Sequence, residues 1–406
     1  MGFFLANSRI MKPITKIILV VLILLMGAAA IYLIWGRLAP KPLVPEEETT
    51  PGGTLPIVPA LPGERAPEET EATLPGEPGG PAESGAARVK RVSDFPVFDA
   101  WVNRENGEVL YLTPEGRAYV VQGGPDAQVS SQPILALNAV TPAPDGSRAL
   151  VTFGNPRSRS WGIFDSVDKA WRPLPGTVLS AGWAGRSDQL FALVATGTLV
   201  SLVRVDLSKS TPATQTILSD LRMREVLLMS RTPEEVLILD RPSALVKGRL
   251  WRYEVRSGSL NLLLAPAAGL SVALSDDAKL LFRWSSPDQF SILNETLGET
   301  MPLFFSTFPS KCGGNATTTY CFVPLEIEGS SLLPDEYLIG TLGTTDRLYR
   351  ISIPAEDAYA VPLQRGSPAL DAARVVVLDD RLYVVNRADR ALYEIALPEA
   401  SVEQRP

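Results

Sequence analysis

The absence of histidine limits the chemistry of this chain more than any other feature of its composition. None of its 406 residues is histidine. Imidazole is the usual proton acceptor at neutral pH and a common metal ligand. Its absence therefore excludes Ser-His-Asp and Cys-His catalysis, histidine-ligated zinc or copper, and histidine-ligated haem. Catalysis by carboxylates alone stays open, and we predict no cofactor, no metal site and no catalytic residue.

Cys312 and Cys321 are the only cysteines, and they lie nine positions apart. Two thiolates without histidine do not supply the four ligands of a tetrahedral metal site. In a domain outside the cytoplasm, an isolated pair of this kind is more typical of a disulfide, and we predict one here. So short a separation indicates a local role, the pinning of one loop.

Carboxylates and tryptophans are the other residues that could do chemistry. Two carboxylates facing each other across a cleft would suit glycoside chemistry or calcium binding. Neighbours in sequence usually point apart, so we expect the adjacent pairs to be solvated turns. Tryptophans within strands are expected to fill space between packed sheets, whereas an exposed subset would suit sugar stacking. The adjacent carboxylates are Asp276-Asp277, Asp379-Asp380, Glu234-Glu235 and Asp335-Glu336.

An uncharged apolar run covers residues 17–35 (IILVVLILLMGAAAIYLIW). As a helix rising about 1.5 Å per residue it would span roughly 28 Å, close to the hydrocarbon thickness of a bilayer. More basic residues precede this run than follow it closely, which favours a cytoplasmic N-terminus. We predict a cytoplasmic tail over 1–16, a transmembrane anchor over 17–36, and the remainder outside the cytoplasm. A cleaved signal peptide is the alternative, because Gly27–Ala30 offers small residues for a cleavage site.

Residues 37–88 have the composition of a disordered stalk. Eleven prolines lie between Pro40 and Pro81, and aromatic residues are absent over 39–88. Such a segment buries too little apolar surface to offset its ordering entropy. Nine glutamates against three basic residues over 41–88 give a net charge of −6 out of −7 for the chain. The rest is therefore nearly neutral, and we predict no nucleic-acid partner.

From Val89 onward, short runs rich in Val, Leu, Tyr and Trp are separated by Gly, Pro, Asp and Asn. Similar units recur about every 40 to 50 residues, which is the pattern of β-propeller blades. We count seven units, of which the last has only three strands before a C-terminal tail over 399–406. The segment Val89–Asp94 supplies the missing strand. The sequence therefore predicts an all-β, seven-bladed β-propeller over 89–398, closed by its N-terminal strand, with six or eight blades as alternatives.

The turns between first and second strands carry a resemblance to known families. Pro144-Asp145-Gly146 precedes a hydrophobic strand, and acidic turns recur around Asp276 and Asp188. In this feature the chain resembles TolB-like and WD40-like β-propellers. The Tyr320–Pro324 strand, the Leu333–Tyr337 segment, the anchor and the stalk also resemble membrane-anchored propellers of candidate-phyla bacteria. That resemblance implies no activity.

One segment, Glu326–Asp335, is not needed to close a propeller and is predicted to be an insertion next to the cysteine pair. Loops on a rigid scaffold are where binding surfaces concentrate. A strand is predicted to follow it over Tyr337–Leu342. The candidate interaction loop consists of Glu326, Glu328, Pro334, Asp335, Glu336 and Tyr337.

These observations predict a non-enzymatic binding platform for protein or cell-envelope partners. It would be a monomeric propeller, tethered to the cell membrane by a single span and facing away from the cytoplasm. The alternative is a carbohydrate-binding or carbohydrate-active propeller that uses carboxylates and tryptophans at the channel mouth.

Overall fold

A computed structural model describes residues 86–209, 212–286, 289–327 and 331–398. The chain divides into two units, Met1–Gly76 and Glu77–Pro406, and every described residue belongs to the second. The predicted tail, anchor and nearly all of the stalk lie outside the described residues. Where the structure describes the chain, it contains no helix with the length and apolar character needed to cross a bilayer.

The described chain forms antiparallel β-sheets. It begins with β1 (Arg88–Arg91). The next sheet contains β2 (Asp99–Val102), β3 (Val109–Leu112), β4 (Ala118–Val120) and β5 (Ala127–Gln128). It is followed by β6 (Leu137–Pro142), β7 (Arg148–Asn155), β8 (Ser158–Asp165) and β9 (Ala170–Pro173). The third contains β10 (Val178–Trp183), β11 (Gln189–Thr196), β12 (Leu199–Asp206) and β13 (Ala213–Leu221).

The fourth sheet has six strands: β14 (Val226–Met229), β15 (Glu235–Asp240), β16 (Lys247–Glu254), β17 (Ser259–Leu274), β18 (Leu281–Ser286) and β19 (Gln289–Leu293). A 3-10 helix, Pro309–Lys311, leads into β20 (Cys312–Gly314), β21 (Thr318–Pro324), β22 (Asp346–Ser352) and β23 (Asp357–Ala360). The last sheet contains β24 (Ala372–Leu378), β25 (Arg381–Asn386) and β26 (Ala391–Ala396), with β1.

The structure is a β-propeller, as predicted, but its described strands form six sheets and not seven. The cause is β17, which has 16 residues. Its first part pairs with β16 and its last part with β18. The outer strand of the predicted fourth blade thus continues into the inner strand of the fifth, and one sheet replaces two.

Two predicted strands are also absent. Residues 301–305, expected to be the outer strand of the fifth blade, are irregular, and only an isolated Leu293–Glu299 bridge is found next to β19. Residues 337–342, expected to be a strand, instead contain the end of a helix, α1 (Asp335–Ile339), which stops at Gly340 in a left-handed conformation. Glycine adopts this conformation without steric cost, so α1 ends there.

The ring closes as predicted, because β1 pairs with β26 in antiparallel register. The order of the last sheet is β1-β26-β25-β24. Ala87 extends this closure, since its N–H donates to Pro362 O and its carbonyl accepts from Gln364 N, both at 2.9 Å. The N-terminal segment therefore fills an edge that would otherwise be an exposed template for pairing.

The core lies between neighbouring sheets. Trp101 on β2 meets Phe164 on β8 edge to face, with ring centroids 6.1 Å apart. Trp101, Trp183 and Trp284 are buried, and the other tryptophans of the described residues are partly buried. The expectation that tryptophans fill the space between sheets is therefore confirmed for the described residues.

Candidate functional site

The predicted insertion lies on one face of the ring. Residues 325–345 connect β21 to β22 and contain α1. Connections between second and third strands lie at the same end of a blade as the connections between blades. The described residues that build this face, called here the insertion face, are 241–246, 305–311, 325–327, 331–345, 361–371 and 387–390.

The predicted interaction residues have different surroundings in the structure. Glu326 is exposed, and Asp335 and Glu336 are partly buried. Pro334 and Tyr337 are buried, so they hold the insertion in place and do not present a surface to a partner. Glu328 lies outside the described residues.

The insertion is fixed to the neighbouring sheet at its helix. The Asp335 carboxylate accepts a hydrogen bond from Ala244 N, in the connection between β15 and β16. Gly269 allows close approach, since a Cβ at this position would lie 2.9 Å from Pro334 Cδ and 2.6 Å from the Trp284 ring. The insertion therefore packs on the β14–β19 sheet as well as on its own.

Tyr337 is the centre of the packing under α1. Its ring stacks on Phe308 with centroids 4.0 Å apart and an interplanar angle of 11°. The guanidinium carbon of Arg387 lies 4.2 Å from the centroid of the same ring. The Tyr337 hydroxyl lies 3.1 Å from Ser310 Oγ and donates to Ala372 O at 3.3 Å. The connection before β20 and the last sheet therefore both contact the Tyr337 side chain.

Beside Tyr337 lies a buried group of charges, called here the Lys311 cluster (Lys311, Thr344, Asp346, Asp371, Arg387). The Lys311 ammonium is fully buried and lies 2.5 Å from Asp346 Oδ2 and 2.9 Å from Asp371 Oδ1. Arg387 Nη2 lies 3.2 Å from Asp371 Oδ1. The cluster pairs two cations with two carboxylates, as buried charges require.

The electrostatics of Asp371 follow from these neighbours. Burial alone raises the pKa of this carboxyl, but Lys311 and then Arg387 more than offset that effect. Its pKa is therefore held below the usual value, and the group stays ionised.

No local sequence pattern could have identified the Lys311 cluster, because Lys311 lies 35 positions from Asp346 and 60 from Asp371.

Exposed aliphatic side chains surround α1. Leu338 and Ile339 on the helix are 55% and 72% exposed, and Leu245, next to the Ala244–Asp335 hydrogen bond, is 82% exposed. Large apolar side chains grouped on one surface are typical of binding sites, whereas scattered ones need no explanation. The apolar patch consists of Leu245, Val246, Leu332, Leu338 and Ile339.

The inner strands enclose charges of their own. Arg374 on β24 forms a two-pronged pair with Asp99 on β2, at 2.9 and 2.7 Å, and donates to Val140 O on β6 at 2.8 Å. Arg104, after β2, forms an ion pair with Asp276, after β17, at 2.8 Å. Arg104 and Asp276 follow strands of two sheets that are not neighbours in the ring, so this ion pair reaches across the ring.

The adjacent carboxylates Asp276 and Asp277 diverge, as expected for neighbours in a turn. Asp276 points to Arg104, whereas Asp277 accepts from Ser275 Oγ at 2.7 Å and from Ala316 N at 3.0 Å. Burial raises the pKa of Asp276, although Arg104 acts in the opposite direction. The net effect is a pKa for Asp276 above its usual value.

The disulfide predicted from the cysteine pair is present. Cys312 and Cys321 face each other across β20 and β21, with Cα atoms 4.2 Å apart. It joins the first two strands of the sheet that carries the insertion, and Lys311 directly precedes it. No group of three or more possible metal ligands occurs among the described residues.

Comparisons with known proteins identify the fold. No protein-family model and no curated protein matches the chain. The β-propeller domain of Cps50 (Swd1) from Myceliophteria thermophila gives a TM-score of 0.50 at 8% identity, covering 76% of this chain and 99% of that one. An oligogalacturonate lyase in complex with manganese gives 0.51 at 14% identity, covering 78% and 95%.

The oligogalacturonate lyase of Vibrio parahaemolyticus gives a TM-score of 0.51 at 12% identity, covering 77% of this chain and 94% of that one. At such identities a likeness shows the fold alone. The resemblance to WD40-like and TolB-like propellers is therefore confirmed as a resemblance of fold, and the one to anchored candidate-phyla proteins stays a prediction. The chain is a β-propeller.

Proposed function

We propose that this protein is a membrane-tethered, non-enzymatic binding platform that presents its insertion face to a protein partner. The observation that carries the proposal is the apolar patch, which is exposed on the insertion face where the insertion contacts the β15–β16 connection and β24. A surface that is already ordered loses little conformational entropy when it binds. Aliphatic side chains on such a surface suit an apolar segment of another protein.

The membrane tether in this proposal rests on the sequence. The uncharged run at 17–35 is long enough to cross a bilayer, and the stalk would separate the propeller from the membrane surface. The apolar patch of a propeller outside the cytoplasm would then be available to other envelope proteins. This part of the proposal predicts that the full chain stays with membranes after washing with high salt and alkali.

The carbohydrate alternative has one observation in its favour, the raised pKa of Asp276 near the centre of the ring. Two observations weigh against it. Asp276 and Asp99 are both engaged by arginines, and no tryptophan of the described residues is exposed for stacking on a sugar. The enzymes among the similar folds supply no further argument at their level of identity.

Affinity capture from envelope extract tests the platform, with the full chain in detergent as bait. The double variant Leu245→Asp/Ile339→Asp places two charges in the apolar patch, and we expect it to lose the captured protein at least tenfold. Val167→Asp is the matched control, because Val167 is 68% exposed in the turn between β8 and β9, outside the insertion face. It should capture the same protein as the unchanged chain.

A glycan array that includes oligogalacturonates, probed with the same three proteins and with Asp276→Asn, separates the two functions. The platform predicts protein capture that depends on the patch and no saturable glycan signal. Saturable sugar binding that is lost in Asp276→Asn and kept in the patch variant would instead establish the carbohydrate function. Equal capture by the patch variant and the unchanged chain would refute the proposed face.

A further inference from the structure

The Lys311 cluster holds an amine and a carboxyl group in contact inside the protein. The side chains of Lys311 and Asp346 have no exposed surface, and that of Asp371 is only 3% exposed. Ions buried in this way lose their hydration, and their mutual attraction repays that loss only when the geometry is favourable. A reaction that neutralises one cation and one carboxylate would remove the desolvation cost of burying these two charges.

We propose that Lys311 and Asp346 condense into an intramolecular isopeptide bond once the propeller has folded, with Asp371 transferring the proton. Nζ of Lys311 attacks Cγ of Asp346, so that an N–C bond forms and the bond from Cγ to Oδ1 breaks. That oxygen leaves as water and takes two hydrogens of the ammonium group with it. The reaction is a condensation and needs no oxidant, reductant or second substrate.

The contacts supply a route for the proton. Asp371 Oδ1 lies 2.9 Å from Lys311 Nζ and can take a proton from it, which frees the nitrogen lone pair. The Thr344 hydroxyl lies 2.8 Å from Asp371 Oδ1 and 2.8 Å from Asp346 Oδ1. It can therefore pass a proton from Asp371 to the oxygen that leaves. A positioned acid-base group of this kind accelerates proton transfer in acyl chemistry.

The other carboxyl oxygen of Asp346, Oδ2, is the one that stays in the amide product. Oδ2 accepts a hydrogen bond from Ala372 N at 2.8 Å, in addition to its contact with Lys311. A fixed backbone N–H directed at this oxygen stabilises the negative charge that develops there when the amine adds to Cγ. The two carboxyl oxygens of Asp346 thus have different partners: those of Oδ2 suit the oxygen that stays in the amide, and that of Oδ1 suits the oxygen that leaves as water.

The surroundings favour the condensed product. Arg387 Nη2 lies 3.2 Å from Asp371 Oδ1, so after the loss of the Lys311 and Asp346 charges an Arg387–Asp371 pair remains. The rings of Phe308 and Tyr337 stack beside the cluster. They help to exclude the water that would hydrolyse the bond. The bond would join the 3-10 helix to β22 and so close the base of the insertion covalently.

Mass spectrometry of the full chain, purified and reduced, tests the bond. We expect a mass lower by one water molecule than the sequence requires. Trypsin cuts after an unmodified lysine, so an uncondensed chain yields separate peptides 284–311 and 312–347, whose only basic residues are their last ones. The isopeptide removes the cleavage site at Lys311. We then expect one peptide, 284–347, short by one water and joined internally between Lys311 and Asp346.

Two variants give the controls. Lys311→Arg keeps a positive charge but forms no such bond, and it should show the full sequence mass and cleavage at position 311. Asp371→Asn retains the reacting pair, and its condensed fraction should fall at least tenfold in protein that still unfolds cooperatively. A folded unchanged chain with the full sequence mass and two separate peptides would refute the bond. Complete condensation in Asp371→Asn would refute the role of Asp371.

Discussion

Val89 lies opposite Ile395 in the sheet that closes the ring, although 306 positions separate the two residues in the chain. Ala87, two residues earlier, is fully buried in the same hydrophobic cluster as Ile395 and Leu382. The closure is therefore made of buried side chains as well as backbone pairing. Because the two partners come from opposite ends of the described chain, the ring cannot close before both have been synthesised.

The first prediction concerns this closure. Ala87→Asp places a carboxylate in the buried cluster, and we expect it to lower the free energy of unfolding of the full chain by about 3 kcal/mol or more. Urea titration followed by tryptophan fluorescence measures the change. Lys90→Thr is the control, since Lys90 lies three residues later, on β1, and is exposed. If both variants unfold at the same urea concentration, the N-terminal segment does not stabilise the ring.

Much of the fold could be predicted from the sequence, because strand periodicity and turn residues are local signals. The closure could also be predicted, since the last unit visibly lacks one strand. The fusion of two blades could not, because the pattern does not show that β17 continues from one unit into the next. Nor could α1, since Tyr337 and Leu338 suit a strand as well as a helix and only tertiary packing decides.

The candidate site was predictable only in outline. An insertion at Glu326–Asp335 was recognisable because it interrupts the repeat. The side chains that hold it, Lys311 and Asp371, come from other connections and carry no local signal. Tyr337, expected at the surface, is buried because Phe308 and Arg387 flank its ring. Which residues face a partner is thus decided by contacts between units.

The second prediction tests how closely neighbouring inner strands approach. A Cβ on Gly182, in β10, would lie 2.1 Å from Leu228 O in β14. Gly182→Ala must therefore push two sheets apart, and we expect it to lower the free energy of unfolding by about 1 to 3 kcal/mol. Gly176→Ala is the matched control, because no atom lies within 4 Å of the added Cβ. Equal stability of the two variants in denaturant titrations would contradict this packing.

The third prediction concerns Arg374, which links β24 to β2 and β6. Arg374→Lys keeps the charge but loses the two-pronged contact with Asp99. Because the Arg374 side chain is 33% exposed, solvent screens the pair, and we expect a loss of about 1 to 2 kcal/mol in the free energy of unfolding. Arg381→Lys, in an exposed pair with Glu394, should change it by less than about 0.5 kcal/mol.

A double-mutant cycle with Asp99→Asn then measures the coupling between Arg374 and Asp99. We expect a favourable coupling of about 1 kcal/mol or more for residues in direct contact. A coupling near zero would mean that Arg374 stabilises the ring through its bond to Val140 O alone. The cycle therefore separates the ion pair from the backbone contact.

The fourth prediction is a pH dependence that arises at Asp165. This side chain is 4% exposed; its Oδ2 lies 2.8 Å from Arg148 Nε, and its Oδ1 accepts from Val167 N and Asp168 N. Burial raises the pKa of the Asp165 carboxyl. The hydrogen bonds from Arg148 and from the two backbone N–H groups together lower this pKa by more than burial raises it, so the net shift is downward.

Since the pKa of Asp165 is lower in the folded than in the unfolded chain, the ionised group stabilises the fold above its unfolded pKa of about 3.9. This stabilisation is lost as the pH falls through the folded pKa. We expect Asp165→Asn to lower the free energy of unfolding by about 1 to 3 kcal/mol at pH 7, with the difference shrinking toward pH 3. Denaturant titrations at a series of pH values measure it.

Asp168→Asn is the control for this pH dependence. Asp168 lies three residues away in the same turn and is paired with Arg172, but its side chain is 55% exposed. Exposed pairs contribute little, so this variant should follow the unchanged chain within about 0.5 kcal/mol at every pH. A difference for Asp165→Asn that is constant between pH 7 and pH 3 would show that its effect comes from lost packing, and the assignment of the shifted carboxyl to Asp165 would then be wrong.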